Sequence, residues 1–116
     1  MSKKVYVLLA EGFELIEAMT PVDVLRRGGV EVVTVSITDN REVTSAQKVP
    51  VISDTTLKEK DITDGDMIIL PGGYPGYVNL GESQEVGKVL KYYVENNKFV
   101  GAICGAPTVL AKNEVF

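Results

Sequence analysis

The chain has 116 residues, 45% of them apolar and 24% charged, and 16 acidic against 12 basic side chains leave a net charge of −4. That length holds one domain with a real core, and the charge, spread without blocks of one sign, excludes the basic footprint of a nucleic-acid or anionic-membrane binder. No segment reaches membrane-spanning length, the one cysteine cannot form an internal disulfide, and there is no histidine. A reducing cytoplasm is the natural setting for such a chain.

Val5 to Ala10 is a continuous apolar run that stops at Glu11. It is too short for a signal peptide and predicts a first strand covered on both faces, as in parallel sheets. A turn at Glu11-Gly12-Phe13 leads into a helix over 14–27. Leu15, Ala18, Met19, Val22 and Leu25 form its apolar face, and Arg26-Arg27-Gly28-Gly29 makes a basic last turn with glycine beyond it. Glu31 to Thr38 is the second strand, and strand, helix, strand reads as a right-handed βαβ unit. Val43-Thr44-Ser45 and Val49-Pro50-Val51-Ile52 suggest a small hairpin or an excursion at the sheet edge, Pro50 arguing against a central strand. Leu57 to Ile62 reads as one short helical turn, Thr63 to Asp66 as a turn, and Met67 to Leu70 as another buried strand. The loop Pro71 to Gly76 follows. Ser83 then caps a helix with Val86, Val89, Leu90, Tyr93 and Val94 as its buried stripe, ended by Asn96-Asn97. Phe99 to Ile103 is the last strand. The pattern is an α/β doubly wound sheet in a single domain.

The last strand runs into Cys104. Ala102 and Ala106 stand two residues away on each side, Gly105 follows directly, and Pro107 suits the first turn of a helix. Strand, sharp turn and helix with a nucleophile at the apex make a nucleophile elbow, which needs small flanking residues. A free cysteine is more often a small buried hydrophobe, but that role requires none of these flanks. A helix start just downstream would favour the thiolate. Ligands of open parallel sheets bind past the carboxyl ends of the strands, so Glu11 to Glu17, Pro71 to Gly76 and Cys104 are expected to converge. The glycine pair Gly72-Gly73 offers backbone N–H groups for an oxyanion, although such pairs are mostly plain turns. It matches neither a dinucleotide-binding nor a P-loop pattern. Glu17 lies in the first turn of its helix, where a carboxylate ordinarily just complements the dipole. Pro21, four residues on, removes the donor to the Glu17 carbonyl and is expected to distort the helix there. In an apolar crevice beside Cys104 the Glu17 carboxyl would be protonated and would donate a hydrogen bond to the thiolate.

Together, Gly12-Phe-Glu-Leu-Ile-Glu17, Pro21-Val-Asp-Val-Leu-Arg-Arg-Gly28, Leu70-Pro-Gly-Gly73 and Ala102-Ile-Cys-Gly-Ala-Pro107 resemble the ThiJ/PfpI superfamily, close to the group typified by Parkinson disease protein 7. The match runs over essentially the whole chain. The resemblance implies a flavodoxin-like fold, related to class I glutamine amidotransferases, in a homodimer. It implies that Cys104 is the reactive, oxidisable cysteine, Glu17 its protonated partner, and Gly73 and Gly105 the backbone positions that bind an oxyanion. Members of that superfamily run past the elbow, with further strands, a closing helix and commonly a histidine. The expectation is therefore that residues 1–116 are the N-terminal part of a longer product, or that a separate chain completes the fold. An intact mass matching these residues alone would sink it. Gln47 stands where close relatives often carry an arginine that contributes across the dimer.

Three functions compete on this reading. The first is a cysteine-dependent glyoxalase or deglycase acting on 2-oxoaldehydes or their protein adducts, with no metal or cofactor. The second is a redox-sensing stress protein or chaperone in which Cys104 is oxidised. An amidotransferase-like or peptidase-like hydrolase ranks below both, because it needs a histidine that the chain lacks. An assignment to thiazole monophosphate biosynthesis comes with the ThiJ name, but no residue here binds a thiazole.

Overall fold

The structure, a computed structural model, describes residues 3–115. In chain order it contains β1 (Lys4–Leu9), α1 (Leu15–Arg27), β2 (Glu31–Ser36), β3 (Glu42–Thr44), β4 (Pro50–Ile52), β5 (Thr55–Thr56) and β6 (Met67–Leu70). These are followed by α2 (Gly76–Glu82), α3 (Gln84–Glu95), β7 (Phe99–Ala102) and α4 (Pro107–Lys112). The main sheet has the order β5-β2-β1-β6-β7 and every pairing in it is parallel. β3 and β4 form a separate antiparallel hairpin with Val43 opposite Val51. Pro50 thus sits in a two-stranded ribbon, where its missing N–H is harmless.

The unbroken apolar run of β1 is explained by burial on both faces. Tyr6 and Leu8 belong to the core beneath α2, α3 and α4, while Val5, Val7 and Leu9 pack with Ala18 and Val22 of α1 on the other. Alternate residues of one central strand therefore feed two cores. The chain leaves β1 toward β2 and returns on the other side at β6. That reversal opens a crevice at the carboxyl ends of β1 and β6.

Four local expectations change. Residues 57–62 hold no helix. Leu57–Glu59 is a turn in which the N–H groups of Glu59 and Lys60 reach the Thr56 carbonyl at 3.2 Å. It follows a two-residue strand, β5, that the sequence reading passes over. Both β5 threonines are buried, and the strand pairs with β2. α2 is also unanticipated. Gly76, Gly81 and the preceding Pro75 mask it, since glycine lowers helix propensity, yet Leu80 is fully buried and holds the turn in place. In α3 the Ser83 hydroxyl accepts from the Val86 N–H at 3.2 Å. Val86, Leu90 and Tyr93 are buried, but Val94 is 36% exposed. At eight residues from Val86 it has drifted to the edge of the stripe. α1 runs unbroken across Pro21. Among the described residues no helix is long and apolar enough to cross a membrane.

Candidate active site

The elbow is built by β7 and closed by α4. The Ile103 N–H donates to the Leu70 carbonyl at 3.3 Å, extending the ladder one residue past β7, and the Ala106 N–H returns to the Ile103 carbonyl at 3.0 Å. Between them Cys104 takes φ +60°, a left-handed conformation that a non-glycine residue holds only when its surroundings enforce it. The side chain is exposed. Ala106 is buried and serves as the N-cap of α4, with Pro107 in its first turn. Cys104 thus lies two residues ahead of the cap of a six-residue helix, outside the first turn where a helix dipole acts most strongly.

Gly72 joins this elbow to α1. Its N–H donates to Glu17 Oε1 at 2.9 Å and its carbonyl accepts from the Glu14 N–H at 2.9 Å. A Cβ at Gly72 would lie 2.5 Å from Glu17 Oε1, 2.8 Å from the Cys104 Cβ and 3.0 Å from the Ile103 carbonyl. Glu17 and Cys104 therefore converge on one backbone position from which a side chain is excluded. Two expectations are amended here. The Gly72 N–H, read as an oxyanion donor, is engaged by Glu17. The anticipated hydrogen bond from Glu17 to the sulfur is not among those the described residues make, and the carboxyl is anchored through Gly72 instead. Gly73 takes φ +95°, and a Cβ there would collide with the Glu14 backbone nitrogen. Neither Gly73 nor Gly105 donates its N–H to a partner among the described residues.

The start of α1 is held from the hairpin side as well. The α1 N-cap, Glu14, makes no capping bond with its own side chain. Gln47 Oε1 accepts from the Leu15 N–H at 3.1 Å, and its Nε2 donates to Glu14 Oε1 at 3.0 Å. Backbone bonds from Gly12 N–H to the Thr44 carbonyl (2.9 Å) and from Ala46 N–H to the Phe13 carbonyl (2.8 Å) tie the same loop to the hairpin. The capping role of Gln47 is invisible in sequence, because its partners lie 32 residues or more away. No group of three or more acidic, cysteine or histidine side chains placed to hold a metal occurs among the described residues.

An exposed thiol on strained backbone, a carboxyl fixed beside it and two unengaged N–H groups next to both are the parts needed to attack a carbonyl and hold the oxyanion that results. The family model described as the DJ-1/PfpI family matches residues 3–116. The chain belongs to the DJ-1/PfpI family. Within the DJ-1/PfpI proteins it is similar to protein dj-1beta of Drosophila melanogaster, at 38% identity over 115 residues, covering 99% of this chain and 62% of that protein. The Parkinson disease protein 7 homolog of Danio rerio is 36% identical over 109 residues, covering 93% of this chain and 58% of the relative. Oxidised Toxoplasma gondii DJ-1 superposes with a TM-score of 0.94 at 34% identity, over 98% of this chain and 62% of that one. The parallel sheet is thus the flavodoxin-like fold of the DJ-1 proteins, and the chain spans about three fifths of the length of these relatives.

Proposed function

We propose that the chain carries the nucleophilic half of a DJ-1-like site acting on 2-oxoaldehydes or their protein adducts. The single observation behind this reading is the convergence of Cys104 and Glu17 on Gly72. The Cys104 thiolate adds to the aldehyde carbon, a C–S bond forms, and the carbonyl oxygen becomes an alkoxide facing the N–H groups of Gly73 and Gly105. Protonation gives a hemithioacetal. The Glu17 carboxylate removes the proton from the former aldehyde carbon while the neighbouring carbonyl oxygen takes one up, giving an enediol. Return of the proton from Glu17 to the second carbon, with loss of the hydroxyl proton on the first, gives the thioester of a 2-hydroxy acid. Water then cleaves the C–S bond to give a 2-hydroxy acid and the free thiol. The net change is addition of one water to the oxoaldehyde, with no outside oxidant or reductant.

The test is formation of lactate from methylglyoxal by a full-length protein in which the C-terminal part is supplied, compared with its Cys104→Ser variant. Loss of more than about 10³-fold in the variant is expected for removal of a nucleophile. Turnover that survives the substitution, or none in the parent, overturns the reading. Redox sensing through the same thiol is the second reading. It is favoured by the exposure of the only cysteine and by a solved relative described as oxidised. Mild peroxide followed by intact-mass measurement should then add oxygen at Cys104. Association as a homodimer fits the exposed apolar side chains of α1, Ile16 at 71% and Val24 at 59%.

A further inference from the structure

Beside the elbow stand two tyrosines for which the reaction above has no use. Tyr77, in the first turn of α2, lays its ring on the residue after the nucleophile. A Cβ at Gly105 would fall 2.8 Å from two of its ring carbons and 3.0 Å from a third, so Gly105 leaves open the space that the ring covers. Packing against the main core accounts for part of the Tyr77 surface. Tyr74 has no such account. It is 71% exposed, and its ring meets that of Tyr77 edge-on, with centroids 6.1 Å apart and planes at 60°. Neither hydroxyl makes a hydrogen bond among the described residues, so nothing polar explains the pair. A further aromatic group can pack on such rings by offset or edge-to-face contact.

Tyr77 also lines a groove of about 270 Å³ between α2 and α4, shared with Val78, Gly81, Thr108, Val109 and Lys112. Its Thr108 hydroxyl donates to the Gly105 carbonyl at 2.6 Å, which fixes one wall of the groove to the backbone beside Cys104. An apolar cavity of roughly 150 Å³ already accepts benzene, so there is room for one ring.

We infer that Tyr77, with Tyr74 edge-on to it, is an aryl subsite beside Cys104, selecting carbonyl compounds that carry an aromatic ring over those that carry a methyl group. This deepens the proposed 2-oxoaldehyde reading and rests on it for the identity of the substrate. It does not depend on turnover for its test. Alkylation of Cys104 by N-phenyl iodoacetamide and by iodoacetamide displaces iodide and forms a C–S bond whether or not the protein is an enzyme. After division by the same ratio measured for the denatured protein, the aryl reagent is expected to be favoured about fivefold to tenfold, the worth of one aromatic contact. Tyr77→Leu should bring that ratio to about one, and Tyr77→Phe should keep it. Should the Tyr77 variants fail to fold, Tyr74→Ser, at an exposed position, should lower the ratio instead. A parent ratio near one, or one that Tyr77→Leu and Tyr74→Ser leave unchanged, overturns the subsite. Phenylglyoxal and methylglyoxal turnover by the full-length protein then separates the two ideas. An aryl preference in alkylation with no turnover of either compound sinks the enzyme reading alone, and turnover of both with no preference sinks the subsite alone.

Discussion

Gly72 is the residue on which the site depends most directly, because it has no side chain and both its backbone groups are used. Its N–H holds Glu17 and its carbonyl holds Glu14. Any Cβ there would press on Glu17 Oε1 and the Cys104 Cβ together. Gly72→Ala is therefore expected to move one group or the other by a substantial fraction of an ångström. Misplacement on that scale costs up to about 10²-fold in rate, so kcat/KM for methylglyoxal should fall by that order while far-ultraviolet circular dichroism stays native. Undiminished activity in the Gly72→Ala variant would show that Glu17 and Cys104 need not share this position. Cys104 and Glu17 were legible as candidates from their flanks. Which of two adjacent glycines holds the carboxyl and which is left open was not, since each presents the same backbone N–H in sequence.

The hairpin is the element whose role changed most. β3 and β4 read in sequence as a small hairpin or an excursion at the sheet edge, and they form a hairpin separate from the main sheet. They also clamp the turn that starts α1, with Gln47 standing in for a missing cap. Loss of a capping hydrogen bond costs about 1 kcal/mol. Gln47→Ala should thus lower unfolding stability by about that amount in urea titration, with the m-value unchanged. Because α1 carries Glu17, the same variant should slow Cys104-dependent turnover more than its stability loss at the assay temperature explains. An unchanged midpoint would mean that solvent replaces Gln47 without cost. α2 teaches the converse. Its glycines argue against a helix, and burial of Leu80 and of Gly76 against Phe13 overrides that weak local preference.

At the scale of the whole molecule, the ends of the sheet are specialised. The carboxyl end carries the site. The amino end carries a polar network in which the Tyr6 hydroxyl donates to Asp64 Oδ1 at 2.5 Å and Lys4 Nζ reaches Asp64 Oδ2 at 3.0 Å. The Tyr6 hydrogen bond, followed by that of Lys4, holds the Asp64 carboxyl down to about 2, from an ordinary 3.8. The native state therefore binds fewer protons than the unfolded chain in this window. The stability from Asp64 is present above about pH 4 and is lost as pH falls toward 2. Asp64→Asn should flatten the dependence of the urea midpoint on pH across that range, and an identical acid limb in both proteins would remove Asp64 from the account. Burial, with the Asp64 contact second, pushes the Tyr6 phenol up to about 12. Its contribution is present below pH 10 and is lost as pH rises toward 12, so Tyr6→Phe should lose less stability than the parent over that alkaline interval.

The amino-acid sequence by itself determined the α/β pattern, the two-sided burial of β1, the apolar faces of α1 and α3 and the elbow at Cys104. These follow from periodicity, caps and small flanking residues, which act within a few positions of one another. Only the tertiary structure decided that Glu17 is tethered by Gly72, 55 residues away, that Gln47 caps a helix from the hairpin, and that Tyr77 covers Gly105. Each is a contact between segments brought together by the order of strands in the sheet. Nothing local in the chain encodes which partner a backbone N–H or an exposed ring will meet. The long-range packing that closes the crevice between β1 and β6 decides it.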